Sequence, residues 1–212
     1  MYLKQKIVIV DYGVGNIRSV FNSISTLGYK KLKVSSTQKD LSDADMLILP
    51  GVGAFDEAIR NITSRNLIPL LNEQVIQLKK PILGICVGMQ LLTDGSEENG
   101  WHDGLGWIPG RIEKIKIKKG FHVPHVGWNN IKFDQTCILS SNLGEEKHFY
   151  FDHSYSYEGD EKYVCASCEY GGKINSVIQL NNIFGVQFHP EKSQTNGLKL
   201  FRNFFNNLSE RC

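Results

Sequence analysis

Apolar residues run almost unbroken through short segments of the first half of the chain, and alternate with polar ones through much of the second. Lys6–Val10, Met46–Leu49 and Ile82–Ile85 are runs of the first kind, the pattern of strands covered on both faces, and Lys31–Val34 is a further predicted strand. Between them the spacing becomes helical. Ile17, Val20, Phe21, Ile24 and Leu27 recur at helical intervals with Gly28 as a C′ residue, and helical stretches are predicted near Phe55–Ile62 and Leu67–Leu78. Strand alternating with helix predicts an α/β fold, a doubly wound, mainly parallel sheet with helices on both faces. The second half predicts short strands over Ile112–Ile117, Asn130–Phe133, His148–Tyr157, Tyr163–Glu169 and Ile174–Leu180, with turn signals at Gly171-Gly172 and Asn181-Asn182. These make an added antiparallel portion. A last helix over Thr195–Leu208 carries Leu198, Phe201, Phe204, Phe205 and Leu208 on one face. No repeat, low-complexity tract or linker interrupts the pattern, so one domain over 1–212 is expected.

At 212 residues and 41% hydrophobic, the chain can bury one sizeable core. A formal charge of +2, without a basic run interleaved by aromatics, argues against nucleic-acid binding. No stretch reaches transmembrane length, and the N-terminal segment lacks the apolar core and cleavage site of a signal peptide, so a cytoplasmic protein is expected. Five cysteines, an odd number, predict free thiols rather than a disulfide frame. Cys165 and Cys168 are spaced C-x-x-C, but on a strand i and i+3 face opposite sides, so both read as packing residues. His122 and His125 flank Pro124 and have no cysteine partners nearby; neither a metal nor a cofactor is expected.

Chemistry concentrates in three places. Gly84-Ile85-Cys86-Val87-Gly88 sets a cysteine between glycines, after an apolar strand and before a helix-like Met89-Gln90-Leu91-Leu92, which reads as a nucleophile elbow with sulfur as the nucleophile. Glycines relieve crowding on so tight a turn, and the N–H groups of the following helix favour a thiolate. A cysteine in that setting can equally be a small buried hydrophobe. The second place is Ile183–Glu191, an apolar run ending His189-Pro190-Glu191. On an extended segment, kept so by Pro190, the i and i+2 side chains share a side, and Glu191 can orient the His189 ring. An imidazole so held is what a thiol near pKa 8.5 needs to ionise at neutral pH, and the pairing outweighs the alternative of a merely hydrogen-bonded strand-end histidine. The third is the loop Pro50-Gly51-Val52-Gly53 after Met46–Leu49, whose backbone N–H groups suit an oxyanion.

Together these pieces resemble class I, triad-type glutamine amidotransferases, a family with a flavodoxin-like sheet. Asp11–Val20, Pro50–Phe55, Val123-Pro-His-Val-Gly-Trp-Asn129, His153-Ser-Tyr155 and Gly185–Gln194 narrow the resemblance to the glutaminase subunits of imidazole glycerol phosphate synthase, over nearly the whole chain. The resemblance implies that Cys86 attacks the side-chain amide of glutamine, His189 moves protons and Glu191 orients His189. It implies oxyanion donors at Gly51, Val52, Gly53 and Val87, in a loop that the partner reorients, and glutamine held by Gly53, Val87, Gln90, Ser154 and Tyr155. It further implies a separate (β/α)8 barrel subunit as partner in a heterodimer, receiving channelled ammonia for histidine biosynthesis, with interface or gate roles for Asn16, Trp128, Tyr150 and Lys192. Taken residue by residue, those four also read as a helix N-cap, two core aromatics and a solvated charge. One departure is Asp152, where the family usually has an apolar residue. Competing readings are a paralogous ammonia supplier for amidination of a bacterial surface sugar, a cysteine peptidase or deglycase, and a catalytically silent binding subunit.

Overall fold

The computed structural model describes residues 4–133, 137–145 and 147–208, the side chains of 207 and 208 excepted. The chain begins with β1 (Lys6–Val10), α1 (Ile17–Thr26), β2 (Lys31–Ser35), α2 (Gln38–Asp43), β3 (Met46–Leu49), α3 (Phe55–Ser64), α4 (Leu67–Asn72), β4 (Ile82–Ile85) and α5 (Val87–Leu91). It continues through β5 (Thr93–Ser96), β6 (His102–Asp103), β7 (Ile108–Lys114), β8 (His125–Asn130), β9 (Lys132–Phe133), β10 (His148–His153) and β11 (Tyr155–Glu158). It ends with β12 (Val164–Glu169), β13 (Lys173–Leu180), β14 (Ile183–Val186) and α6 (Gln194–Leu208).

The main sheet has the order β2-β1-β3-β4-β14-β13-β12-β9. Its first five strands are parallel and the rest join antiparallel, so the expected mainly parallel sheet with an antiparallel addition is what forms. β3, β4 and β14 are buried at every residue, which is why they read as continuous apolar runs. β2 sits at the edge and is largely exposed. Helix α1 packs against α6, and α3 against α4 and α5. Two smaller sheets, β8 with β10 and β11-β7-β5-β6, complete the fold.

Some elements differ from expectation. The segment His148–Tyr157 is two strands, broken at Ser154: β10 pairs with β8 while β11 pairs with β7 in another sheet. The strand expected over Asn130–Phe133 is the end of β8 plus the two-residue β9, and that expected over Ile112–Ile117 lies earlier, as β7. The helix expected over Leu67–Leu78 is α4 followed by a wide π-type turn at Glu73–Gln77. On α6, Phe201, Phe204 and Phe205 are buried; Leu208, expected on the same face, lies outside the described side chains. No helix among the described residues is long and apolar enough to cross a membrane.

Candidate active site

The loops that build the site leave the C-terminal ends of parallel strands, the edge at which open α/β sheets present their chemistry. A cavity of about 650 Å³ opens there, with Gly15 and Asn16 after β1, Val52 and Gly53 after β3, Cys86 and Val87 after β4 and His189 beyond β14 on its walls. Asp152, His153, Ser154 and Tyr155, at the break between β10 and β11, close another side, and Gln90, Glu98, Pro124 and Lys192 complete it.

Cys86 sits between β4 and α5 with φ 53 and ψ −112, a backbone state that costs a non-glycine residue about 1–3 kcal/mol. The packing around it enforces that state. A Cβ on Gly88 would lie 1.9 Å from the Leu49 carbonyl oxygen, and one on Gly84 would lie 2.6 Å from that of Gly88. Glycine at both 84 and 88 is what lets α5 press so closely onto β3 and β4. The Cys86 N–H continues the sheet by donating to the Val186 carbonyl at 2.8 Å. Val87, the first residue of α5, has no helical acceptor for its own N–H.

His189 lies three residues past β14, where its N–H donates to the Tyr150 carbonyl at 2.8 Å and its carbonyl accepts from Ser193 Oγ at 2.6 Å. Its Nδ1 is 2.8 Å from Glu191 Oε1, with both side chains almost wholly buried. Burial disfavours the imidazolium, yet hydrogen bonds with Cys86 and Glu191 outweigh it, and the His189 pKa is pushed up to about 10. The i, i+2 pairing arises differently from expectation: Pro190 does not extend the chain but opens a 3-10 turn over Pro190–Lys192, and the turn brings Glu191 back under the ring.

The other expected site residues divide. Val52 and Gly53 line the cavity, whereas Gly51 lies beneath it against the Val87–Gly88 backbone. Asn16 occupies the N-cap position of α1 without a capping side-chain bond and faces the cavity, as does Lys192. Trp128 and Tyr150 are register partners on the β8–β10 ribbon, outside the cavity lining; Trp128 is half exposed, and Lys192 Nζ stands 5.2 Å from the Tyr150 ring centre. Asp152 Oδ2 is 4.0 Å from the same ammonium.

Four contributors escaped sequence reasoning. Buried Gln187, two residues before His189, donates from Nε2 to Cys86 Sγ at 3.8 Å and accepts from Gln90 Nε2 at 3.3 Å. Gln90 also donates to the Tyr155 carbonyl at 3.2 Å, which ties α5 to the cavity wall. Tyr12 donates to the Pro50 carbonyl at 2.5 Å and fixes the start of the glycine loop; burial and the nearby Cys86 raise its pKa. Glu98 accepts from the Phe55 N–H at 2.9 Å and places a carboxylate on the cavity wall. The fourth is His153, whose neighbour His125 had been paired by spacing with His122. Among the described residues no group of three His, Cys, Asp or Glu could hold a metal.

His153 Nδ1 faces the Tyr155 carbonyl at 2.8 Å and so carries a proton, which leaves Nε2 to accept from His125 Nδ1 at 2.9 Å. His125 Nε2 then accepts from Asn129 at 3.3 Å, and both rings are neutral. Burial, with the other ring's charge, holds His125 down to about 4; burial also holds His153 at about 4. Between the ordinary 6.5 and 4 the unfolded chain therefore binds more protons than the native one, and stability falls as pH drops through that window. Urea midpoints should decline most steeply there, with both imidazoles unprotonated by NMR at about pH 5.5, given the ordinary 6.5 of unfolded histidine. Either ring titrating near 6.5 would contradict this account.

The model of the class-I glutamine amidotransferase family matches residues 8–208. The chain is 47% identical over 199 residues to imidazole glycerol phosphate synthase subunit HisH 2 of Vibrio vulnificus, covering 94% of this chain and 93% of that protein. It is 45% identical over 199 residues to the subunit HisH 2 of Methanococcus maripaludis, covering 93% and 98%. A crystal structure of a glutamine amidotransferase superposes with TM-score 0.73 at 17% identity, covering 96% of this chain and 98% of that one, a likeness of fold. The chain belongs to the class-I glutamine amidotransferases and, within them, to the HisH subunits of imidazole glycerol phosphate synthase.

Proposed function

We propose that the chain, acting as one amidotransferase unit, is the glutaminase subunit of imidazole glycerol phosphate synthase in histidine biosynthesis. The observation that carries the chemistry is a strained Cys86 in a hydrogen bond with His189, whose far nitrogen is held by a buried carboxylate, at the wall of a substrate-sized cavity.

Cys86 Sγ attacks the side-chain carbonyl carbon of glutamine while His189 holds the thiol proton. The oxygen becomes an oxyanion facing the Val87 N–H and the Gly51–Gly53 loop, of which Val52 and Gly53 border the cavity. His189 gives its proton to the amide nitrogen, ammonia leaves, and a γ-glutamyl thioester remains. Water then attacks the thioester with His189 as base, and glutamate is released. The Gln187 amide donates to the sulfur from the floor of the site. Glu98, Gln90 and the Ser154–Tyr155 wall suit the substrate's α-ammonium and carboxylate ends.

Ammonia that escaped into water would be protonated and lose its lone pair, so the product needs an adjoining acceptor. The acceptor is a (β/α)8 barrel subunit in a heterodimer, docked on the face bearing Asn16, Trp128, Tyr150 and Lys192, where Trp128 is an exposed large apolar side chain. The setting is the cytoplasm, in keeping with four free buried thiols among the described residues; the fifth, Cys212, lies outside them.

The test has two arms. The chain alone should hydrolyse glutamine slowly and the complex with the barrel and its ligand much faster, and the gene should restore growth of a histidine auxotroph lacking its own glutaminase subunit. Partner-independent peptide cleavage would overturn the amidotransferase reading. Full glutaminase stimulation without complementation would leave the triad standing and move the acceptor to another pathway, such as sugar amidination.

A further inference from the structure

Cys137 and Cys165 come from separate parts of the fold, Cys137 from the turn after β9 and Cys165 from β12. Both are buried, and their thiols donate to one oxygen, Gln179 Oε1, at 3.6 and 3.7 Å. The contact depends on a fault in the sheet. Val164 pairs with Ile178 and Ala166 with Val177, so two steps on β12 span one on β13 and Cys165 is the extra residue of a bulge. A bulge re-aims the side chain it carries, and here Cys165 reaches Gln179, the acceptor that Cys137 shares. Cys168, three residues on, has no thiol partner among the described residues and interacts with Ser176. No third His, Cys, Asp or Glu joins the pair among the described residues, so thiol–disulfide chemistry is the chemistry open to it.

We propose that Cys137 and Cys165 are a modification site, a dithiol that a hydroperoxide oxidises to a reversible intramolecular disulfide. The two thiols are unequal, which sets the order of events. The hydrogen bond from Cys165 and the backbone N–H groups of Leu139 and Ser140 hold Cys137 below the ordinary thiol range, while Cys165 is pushed up. The Cys137 thiolate therefore attacks one peroxide oxygen; the O–O bond breaks, a sulfenic acid forms and hydroxide leaves. Cys165 sulfur then attacks the Cys137 sulfur, the S–S bond forms and the departing hydroxide takes the Cys165 proton. Two thiols and one hydrogen peroxide give one disulfide and two waters; each sulfur loses one electron and the peroxide gains two.

The crosslink would close a loop that contains all of β10 and β11, including the Asp152–Tyr155 wall of the cavity. A closed loop lowers the entropy of the unfolded chain, so the oxidised protein should unfold at a higher temperature.

The experiment treats the full chain with hydrogen peroxide, alkylates it and maps it without reduction. The peptide Phe133–Lys147 should appear joined to Tyr163–Lys173, with fragmentation placing the bond on Cys165 rather than Cys168. The intact mass should fall by the two hydrogens, dithiothreitol should restore both thiols, and the melting temperature should rise on oxidation and return on reduction. Cys137→Ala and Cys165→Ala should each abolish the linked peptide. The wild-type map is decisive even where a variant folds poorly. Recovery of both cysteines alkylated, at a peroxide dose that fully oxidises Cys86, overturns the proposal; so does a bond from either one to a different cysteine.

Discussion

Replacing Cys86 by alanine should lower glutamine-dependent turnover by at least about 10⁴-fold, since removing the nucleophile of a triad leaves only binding and oxyanion stabilisation. Synthesis from added ammonium salts by the complex with the barrel should persist, because ammonia then bypasses the cavity. Folding should also persist: alanine keeps a Cβ in the same strained backbone, and among the described residues the sulfur's polar contacts besides His189 are weak ones to the Asp152 carbonyl and Gln187. A Cys86→Gly variant sharpens the point. Glycine adopts φ 53, ψ −112 without strain, so the glycine variant should resist urea better than the alanine one by about 1 kcal/mol, despite the entropy glycine adds to the unfolded chain. If glutamine still drives synthesis at near wild-type rate in either variant, a different nucleophile is at work. If glycine is the less stable of the two, the elbow stores no strain.

The residues of this elbow were legible in sequence because their cause is local. Two glycines and an apolar run are demanded by the approach of α5 to β3 and β4, and that demand is written within five positions. The parallel strands were legible for a similar reason, since burial on both faces leaves only apolar residues in β3, β4 and β14. The break at Ser154 was not. His148 to Glu158 alternates without interruption, and nothing in it says that Phe151 will answer to Gly127 on β8 while Tyr157 answers to Ile112 on β7. Yet that break places Asp152–Tyr155 on the cavity wall, so the feature hidden in the sequence is one that borders the candidate site. The His125–His153 contact was hidden likewise: its partners are 28 positions apart, and only strand register joins them. Helix α2 escaped because a single residue, Leu41, is buried on it; its one signal was Thr37, which accepts from the Asp40 N–H as an N-cap.

Glu191→Gln should lower glutamine turnover by about 10²- to 10⁴-fold while sparing the ammonium-dependent reaction, as expected when a triad's orienting carboxylate loses its charge. The physical ground is the proton on His189. In the native site the ring is buried, which alone would leave it neutral, and the hydrogen bonds with Cys86 and the carboxylate 2.8 Å from Nδ1 reverse that. An imidazole raised to about 10 holds its proton at neutral pH, so the ring is charged before glutamine is attacked. Glutamine at 191 removes the negative charge but can still accept from Nδ1–H through its oxygen, so ring orientation survives and His189 should titrate well below its native value. Its NH₂ then falls where Glu191 Oε2 now lies buried without a hydrogen-bond partner among the described residues, and an unpaired donor there costs about 1–3 kcal/mol. The pH dependence of stability separates charge from packing. Because the folded pKa of His189 is raised, its contribution is full below about 6.5 and is lost as pH rises through about 10. Wild type should therefore lose stability across that alkaline window, whereas the variant, already weaker at neutral pH, should show a flatter curve. Should Glu191→Gln keep both its turnover and the alkaline slope, the carboxylate would be a packing group, and His189 would owe its proton to Cys86 alone.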